Sequence, residues 1–176
     1  RKPRAREKLA DIRKRDLCSK DIYVRPNRIG IEEFERDRET LEEVSTDLVV
    51  FPKVESAGEV REIENFLKSG ESRTPYKIII KSIKGFENRE KIFSEAENCL
   101  LVSLGYEDLR AELGIERPEL DDNNPLNSML METLVSAKKH RLQYMDAVSR
   151  KFRDEDIEDC NEELRYGKEI GSWGKV

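Results

Sequence analysis

"CLLVSLGYEDLRAELG", residues Cys99 to Gly114, sets the frame in which the rest of the chain is read. It begins as a short, almost uniformly apolar run and breaks at Gly105. An amphipathic segment follows at once, opening with two adjacent acids, Glu107 and Asp108. A strand apolar on both faces belongs to a parallel sheet covered by helices, because an antiparallel sheet with one wet face would alternate.

The same grammar recurs outward from this stretch. "DIYVR" (Asp21 to Arg25), "DLVVFPK" (Asp47 to Lys53) and "YKIIIK" (Tyr76 to Lys81) read as strands, with "RLQYMDAV" (Arg141 to Val148) a weaker fifth. Between them lie helical patterns. In "ESAGEVREIENFLKSG", Ser56 and Glu59 form a capping box, Val60, Ile63, Phe66 and Leu67 share a face, and Gly70 is the stop. "NPLNSMLMETLVSAKKHR" has Pro125 near its start and basic residues at its end, with Met129, Leu130, Leu134 and Val135 as its core face. "RDEDIEDCNEELRYG" places Asp154, Glu155, Asp156 and Glu158 in its first turns and Gly167 at its stop. "ERPELDDNN" (Glu116 to Asn124) is the expected long loop, and "RKPRAREKL" a solvent-facing helix. Strands alternating with helices mean βα units and an α/β fold.

Composition narrows the classes of function. The 176 residues hold 33 Lys plus Arg against 38 Asp plus Glu, a net charge of -5, with both signs interleaved. That pattern describes solvated helix faces and argues against nucleic acid as a partner. No stretch is long and apolar enough to suggest a membrane span. Cys18, Cys99 and Cys160 are scattered and the single histidine, His140, has no cysteine cluster near it, which points to a reducing, cytoplasmic setting. His140 reads as a surface or capping residue and Trp173 as a packing residue. "GKEIGSWGK" lacks the spacing of a phosphate-binding loop.

In parallel α/β folds the chemistry gathers at the carboxyl ends of the strands. Here those ends supply Arg25, then Lys53 and Glu55, then Lys81 and Ser82, then Glu107 and Asp108, and finally Asp146. Such a rim would suit an anionic ligand and a hard cation. Glu107 and Asp108 could serve the N-terminus of the helix that follows or could ligate Mg²⁺, and spacing leaves both readings open.

Six motifs in order carry a family resemblance: "VRPN", "FPKVES", "IKSIKG", "GYEDLRAELG", "MDAVSRKFRDED" and "YGKEIGSWGKV", with "KPRAR" ahead of them. Together they resemble the citrate lyase beta subunit and the HpcH/HpaI-type aldolases, which include citryl-, malyl- and citramalyl-CoA lyases. The resemblance covers nearly the whole chain. It implies a (β/α)8 TIM barrel, of which this chain supplies about five βα units in a single, incomplete domain, since a full barrel takes roughly 200 residues or more. It starts after the family's Asp-Leu-Glu-Asp strand, and "GKV" falls where the final strand should begin.

The implied activity is cleavage of a carbon–carbon bond in a short hydroxy-dicarboxylate thioester of CoA or acyl carrier protein, giving an acyl thioester and a keto acid. The implied cofactor is Mg²⁺, with Asp108 as ligand and Glu107 beside it. Arg25 would clamp the substrate carboxylate, with Lys53 and Glu55 in the substrate site, and the assembly would be a homo-oligomer, a trimer or hexamer. One position departs from the pattern. Lys81 stands where the family has its metal-binding glutamate, and a protonated lysine cannot ligate Mg²⁺ but can pair with Asp108. The alternative reading is therefore a catalytically impaired relative, a binding or assembly subunit.

Overall fold

A computed structural model describes residues 2–14, 21–44, 46–68, 74–116, 124–148 and 157–175. Six strands, β1 (Tyr23–Val24), β2 (Leu48–Pro52), β3 (Tyr76–Ile80), β4 (Cys99–Leu104), β5 (Gln143–Asp146) and β6 (Gly174–Lys175), form one sheet. They lie in chain order and every neighbouring pair is parallel. Around them run α1 (Lys2–Lys14), α2 (Glu32–Glu43), α3 (Ala57–Lys68), α4 (Ile83–Glu87), α5 (Arg89–Ser94), α6 (Tyr106–Leu113), α7 (Pro125–Lys139) and α8 (Ile157–Glu169). This is a curled half-barrel, part of a TIM barrel, as the motif order implies.

The sheet's outer face and the helices enclose the core. Val49 and Phe51 of β2, Tyr76, Ile78 and Ile80 of β3, and Val102 and Leu104 of β4 are buried against Phe34, Val60, Ile63, Ile92 and Leu126. Phe34 meets Phe66 edge-on at 5.8 Å between ring centroids and Phe51 meets Tyr76 at 5.9 Å, arrangements favoured by the ring quadrupole. Beneath α3 the buried Glu64 accepts hydrogen bonds from the Tyr76 hydroxyl and from Asn98, so its charge is satisfied inside the core. The opposite strand faces look into the lumen. There β3 presents Lys77 and Ile79, with Lys81 just beyond its end. The shift between Tyr76/Lys77 and Cys99/Leu101 leaves Leu100 as an extra residue and turns Leu101 and Ser103 inward.

Local signals set several boundaries. Ser56 Oγ accepts from Glu59 N at 3.2 Å and Glu59 Oε2 accepts from Ser56 N at 2.9 Å, the reciprocal box expected at the start of α3. Asn124 caps α7 through Asn127 N, Pro125 is its first residue, and His140 is its C-cap.

Other expectations need correction. α8 does not stop at Gly167 but continues to Glu169. Gly167 is a buried helical position against which the chain returns, and Gly171, at φ 84°, makes the left-handed turn, with Ser172 N donating to Gly167 O at 2.8 Å. Val135 is exposed, because the core face of α7 follows Leu126, Met129, Leu130, Leu134 and Ala137 instead. Trp173 is 61% exposed and does not pack; its backbone N–H, donating to Tyr144 O, starts β6. The sixth strand lies at "GKV", where the motif order put the start of the final strand, although "GK" holds no apolar residue. β1 is also shorter than expected, as is β5. Gly70, Asp154, Glu155 and Asp156 lie outside the described residues.

Replacing Ser56 with alanine removes one half of the capping box and is expected to cost ~1 kcal/mol of stability. Denaturant unfolding should show the midpoint falling at an unchanged slope.

Candidate functional site

Arg25 follows β1 and points into the mouth of the half-barrel. It lines a cavity of about 550 Å³ that fills the lumen, and a second of about 470 Å³ under α1 and α2. Its guanidinium has no hydrogen-bond or ion-pair partner among the described residues. A free guanidinium in a concave site is an anion receptor waiting for a carboxylate or phosphate.

Lys53, Lys81 and Asp108 form the centre. Lys81 Nζ lies 3.0 Å from Asp108 Oδ2, and Lys53 Nζ lies 3.2 Å from Asp108 Oδ1. One carboxylate thus bridges two ammonium groups. Two backbone features make this possible. Gly105 leaves room for the lysine stem, because a Cβ there would sit 2.5 Å from Lys81 Cγ. Lys53 adopts φ 60°, a left-handed conformation costly for a side chain other than glycine. Burial would raise the Asp108 pKa, but hydrogen bonds and charge from Lys81 and Lys53 outweigh it and hold the carboxyl below its ordinary range.

The neighbouring acids are engaged elsewhere. Glu107 is exposed, and its carboxylate accepts from Arg110 Nε at 2.8 Å. Gly105, the N-cap of α6, has no side chain with which to cap the helix. Glu55 accepts from Ser82 Oγ at 2.8 Å and from Arg28 Nη2 at 2.9 Å. Arg28 also bonds Glu59, so this network ties the β1–α2 loop to the start of α3 and stays out of the lumen cavity. Asp146 is buried against Lys175 Nζ at 2.7 Å, and Lys175 also reaches Glu163.

Such a rim does not fit Mg²⁺. That ion requires hard oxygen ligands in a near-octahedral shell. Here both oxygens of Asp108 face ammonium groups, and Lys81 stands at the adjacent strand end. Among the described residues no three His, Cys, Asp or Glu side chains gather to hold a metal ion.

The HpcH/HpaI aldolase/citrate lyase family model matches residues 1–176. The chain belongs to that family. A citrate lyase beta subunit from M. tuberculosis, solved with oxaloacetate and magnesium, superposes with a TM-score of 0.79 at 26% identity, over 99% of this chain and 74% of that one. The CitE protein of M. tuberculosis with magnesium, acetoacetate and coenzyme A gives 0.78 at 25% identity, over 99% of this chain and 61% of that one. RipC from Yersinia pestis gives 0.80 at 20% identity, over 99% and 74%, a likeness that speaks for the fold alone. No curated protein matches the chain.

Sequence reasoning in this family's terms passed over one residue. Lys77 sits in mid-strand β3, is 4% exposed, and faces the lumen. Its ammonium meets only Met145 Sδ, at 3.0 Å, and no carboxylate among the described residues. Burial pushes its pKa down to about 8. The signal was a lysine inside an otherwise apolar strand, "YKIII".

A stability prediction follows from that burial. In the unfolded chain Lys77 keeps its ordinary pKa of 10.5, while in the folded protein it loses its proton near 8. Between these values the unfolded state binds more protons, so the folded protein gains stability as pH rises. Lys77→Met is therefore expected to stabilise the protein at pH 7 by ~2–3 kcal/mol, with the gain shrinking from pH 8 to 10.5. Chemical denaturation of both proteins across that range checks it.

Proposed function

We propose that this chain carries the keto-acid side of a citrate lyase beta-type carbon–carbon lyase site, operating without a divalent cation. The ligand class is a short keto acid or its hydroxy-dicarboxylate thioester, of the citryl, malyl or citramalyl kind, on CoA or a carrier protein. Relatives solved with oxaloacetate and with coenzyme A support that class. Arg25 clamps the carboxylate in a bidentate fork.

The observation that carries the metal-free reading is the double pairing of Asp108. An ammonium has three N–H donors, so Lys53 and Lys81 each spend one on Asp108 and retain others for substrate oxygen. Fixed donors aimed at the substrate hydroxyl oxygen stabilise the negative charge it carries once its proton has left. As the carbon–carbon bond breaks, that oxygen becomes the keto oxygen and the charge passes to the departing acyl thioester enolate. Asp108 holds the two lysines in place.

Calorimetry with oxaloacetate in the presence of a chelator tests this reading. Wild type should bind, and Arg25→Ala should weaken binding about 30- to 150-fold, the ~2–3 kcal/mol of a charge-assisted pair. Lys81→Glu should bind Mg²⁺ where wild type does not, because it puts a second carboxylate beside Asp108. Oxaloacetate binding that is absent with chelator and restored by Mg²⁺ in wild type would overturn the proposal.

A further inference from the structure

Four lysines line the lumen or its mouth: Lys53, Lys77, Lys81 and Lys175. Three are committed to carboxylates, Lys53 and Lys81 to Asp108, and Lys175 to Asp146 and Glu163. A lysine nitrogen engaged with a carboxylate is not free to attack a carbonyl carbon. Lys77 alone of the four has no carboxylate partner among the described residues, and it lies in a buried position that disfavours the charged form.

Its place relative to the anion receptor follows from the sheet register. Val24 pairs with Val49, and Val49 with Tyr76. Arg25 and Lys77, each the next residue, therefore stand in one row two strands apart, about 10 Å across the sheet. Both side chains line the same cavity, so a short 2-keto acid held by Arg25 can bring its carbonyl carbon to Lys77. Ser103 lines the same wall two positions beyond Leu101, the register partner of Lys77, and its buried hydroxyl has no hydrogen-bond partner among the described residues.

We infer that Lys77 is an imine-forming lysine, which captures the keto carbon of a short 2-keto acid held by Arg25. The inference rests on the keto-acid reading of the mouth and adds a covalent step to it. The neutral Nζ attacks the keto carbon, a C–N bond forms, and the carbonyl π pair goes to oxygen, which takes up the proton released by nitrogen. Ser103 Oγ is the hydroxyl positioned to hold that oxygen. The carbinolamine then loses water and becomes the imine, so amine and ketone give imine and water with no oxidant or reductant. The imine acidifies the carbon next to it, and loss of a proton there gives an enamine. This opens aldol chemistry of a 2-keto acid to a site in which a metal enolate is not available.

The experiment is borohydride trapping with pyruvate on the intact protein, read by peptide mass mapping, alongside calorimetric pyruvate binding without borohydride. The expected result is one reduced pyruvate adduct on Lys77, exceeding that on other lysines on the order of a hundredfold at pH 7, from the larger neutral fraction. Lys77→Arg, which keeps the charge but cannot form the imine, should bind pyruvate and lose the adduct. Pyruvate that binds with no adduct, or with adduct on Lys53, Lys81 or scattered surface lysines, overturns this inference and leaves the keto-acid reading standing. Absence of pyruvate binding together with absence of adduct overturns both.

Discussion

Two ammonium groups sharing one carboxylate at the ends of three adjacent strands is the constraint on which the site depends. Lys53 after β2 and Lys81 after β3 converge on Asp108 of α6. The arrangement needs a glycine at 105 to pass the Lys81 stem and a strained backbone at Lys53 to aim its amine. Strain of that kind persists only where surrounding structure holds it, here the parallel ladder, in which Lys53 N donates to Ile79 O and Gly105 N to Ile80 O. The mouth that results is cationic at its centre, whereas a two-carboxylate metal site would be anionic.

That inversion of charge changes what the fold can do with a carbonyl. A divalent cation polarises a ketone as a Lewis acid, and ammonium groups do the same work more weakly through hydrogen bonds. A neutral lysine instead makes the carbonyl electrophilic by covalent capture. The lumen holds both kinds of lysine, paired with a carboxylate at the rim, and desolvated without a carboxylate partner among the described residues on the wall at Lys77. Their different environments divide one residue type into two chemical roles.

Much of this was legible in the sequence. The apolar runs at 47–53, 76–81 and 99–105 became β2, β3 and β4, because a strand buried on both faces needs side chains that tolerate both. The strand-end rule brought Arg25, Lys53, Lys81 and Asp108 to one mouth. Glu55 stood in the same motif as Lys53 yet turned away, since Ser82 and Arg28 offer it partners outside the lumen. Periodicity did not show β6, because Gly174 and Lys175 carry no pattern; only the motif order marked its place, and it is recruited by the β5 edge and by the Lys175–Asp146 pair. Lys77 was overlooked because periodicity reads "YKIII" as a strand and says nothing of what its one polar member meets across the lumen.

On this reading, ammonium groups occupy the position of a divalent cation. Mn²⁺, a spectroscopic stand-in for Mg²⁺, tests it most directly through an electron paramagnetic resonance titration of wild type with oxaloacetate present. The signal of free Mn²⁺ is expected to rise in proportion to added metal, with no protein-bound species. A stoichiometric bound Mn²⁺ signal that disappears in Asp108→Asn would contradict it, placing the metal on Asp108 and displacing both lysines.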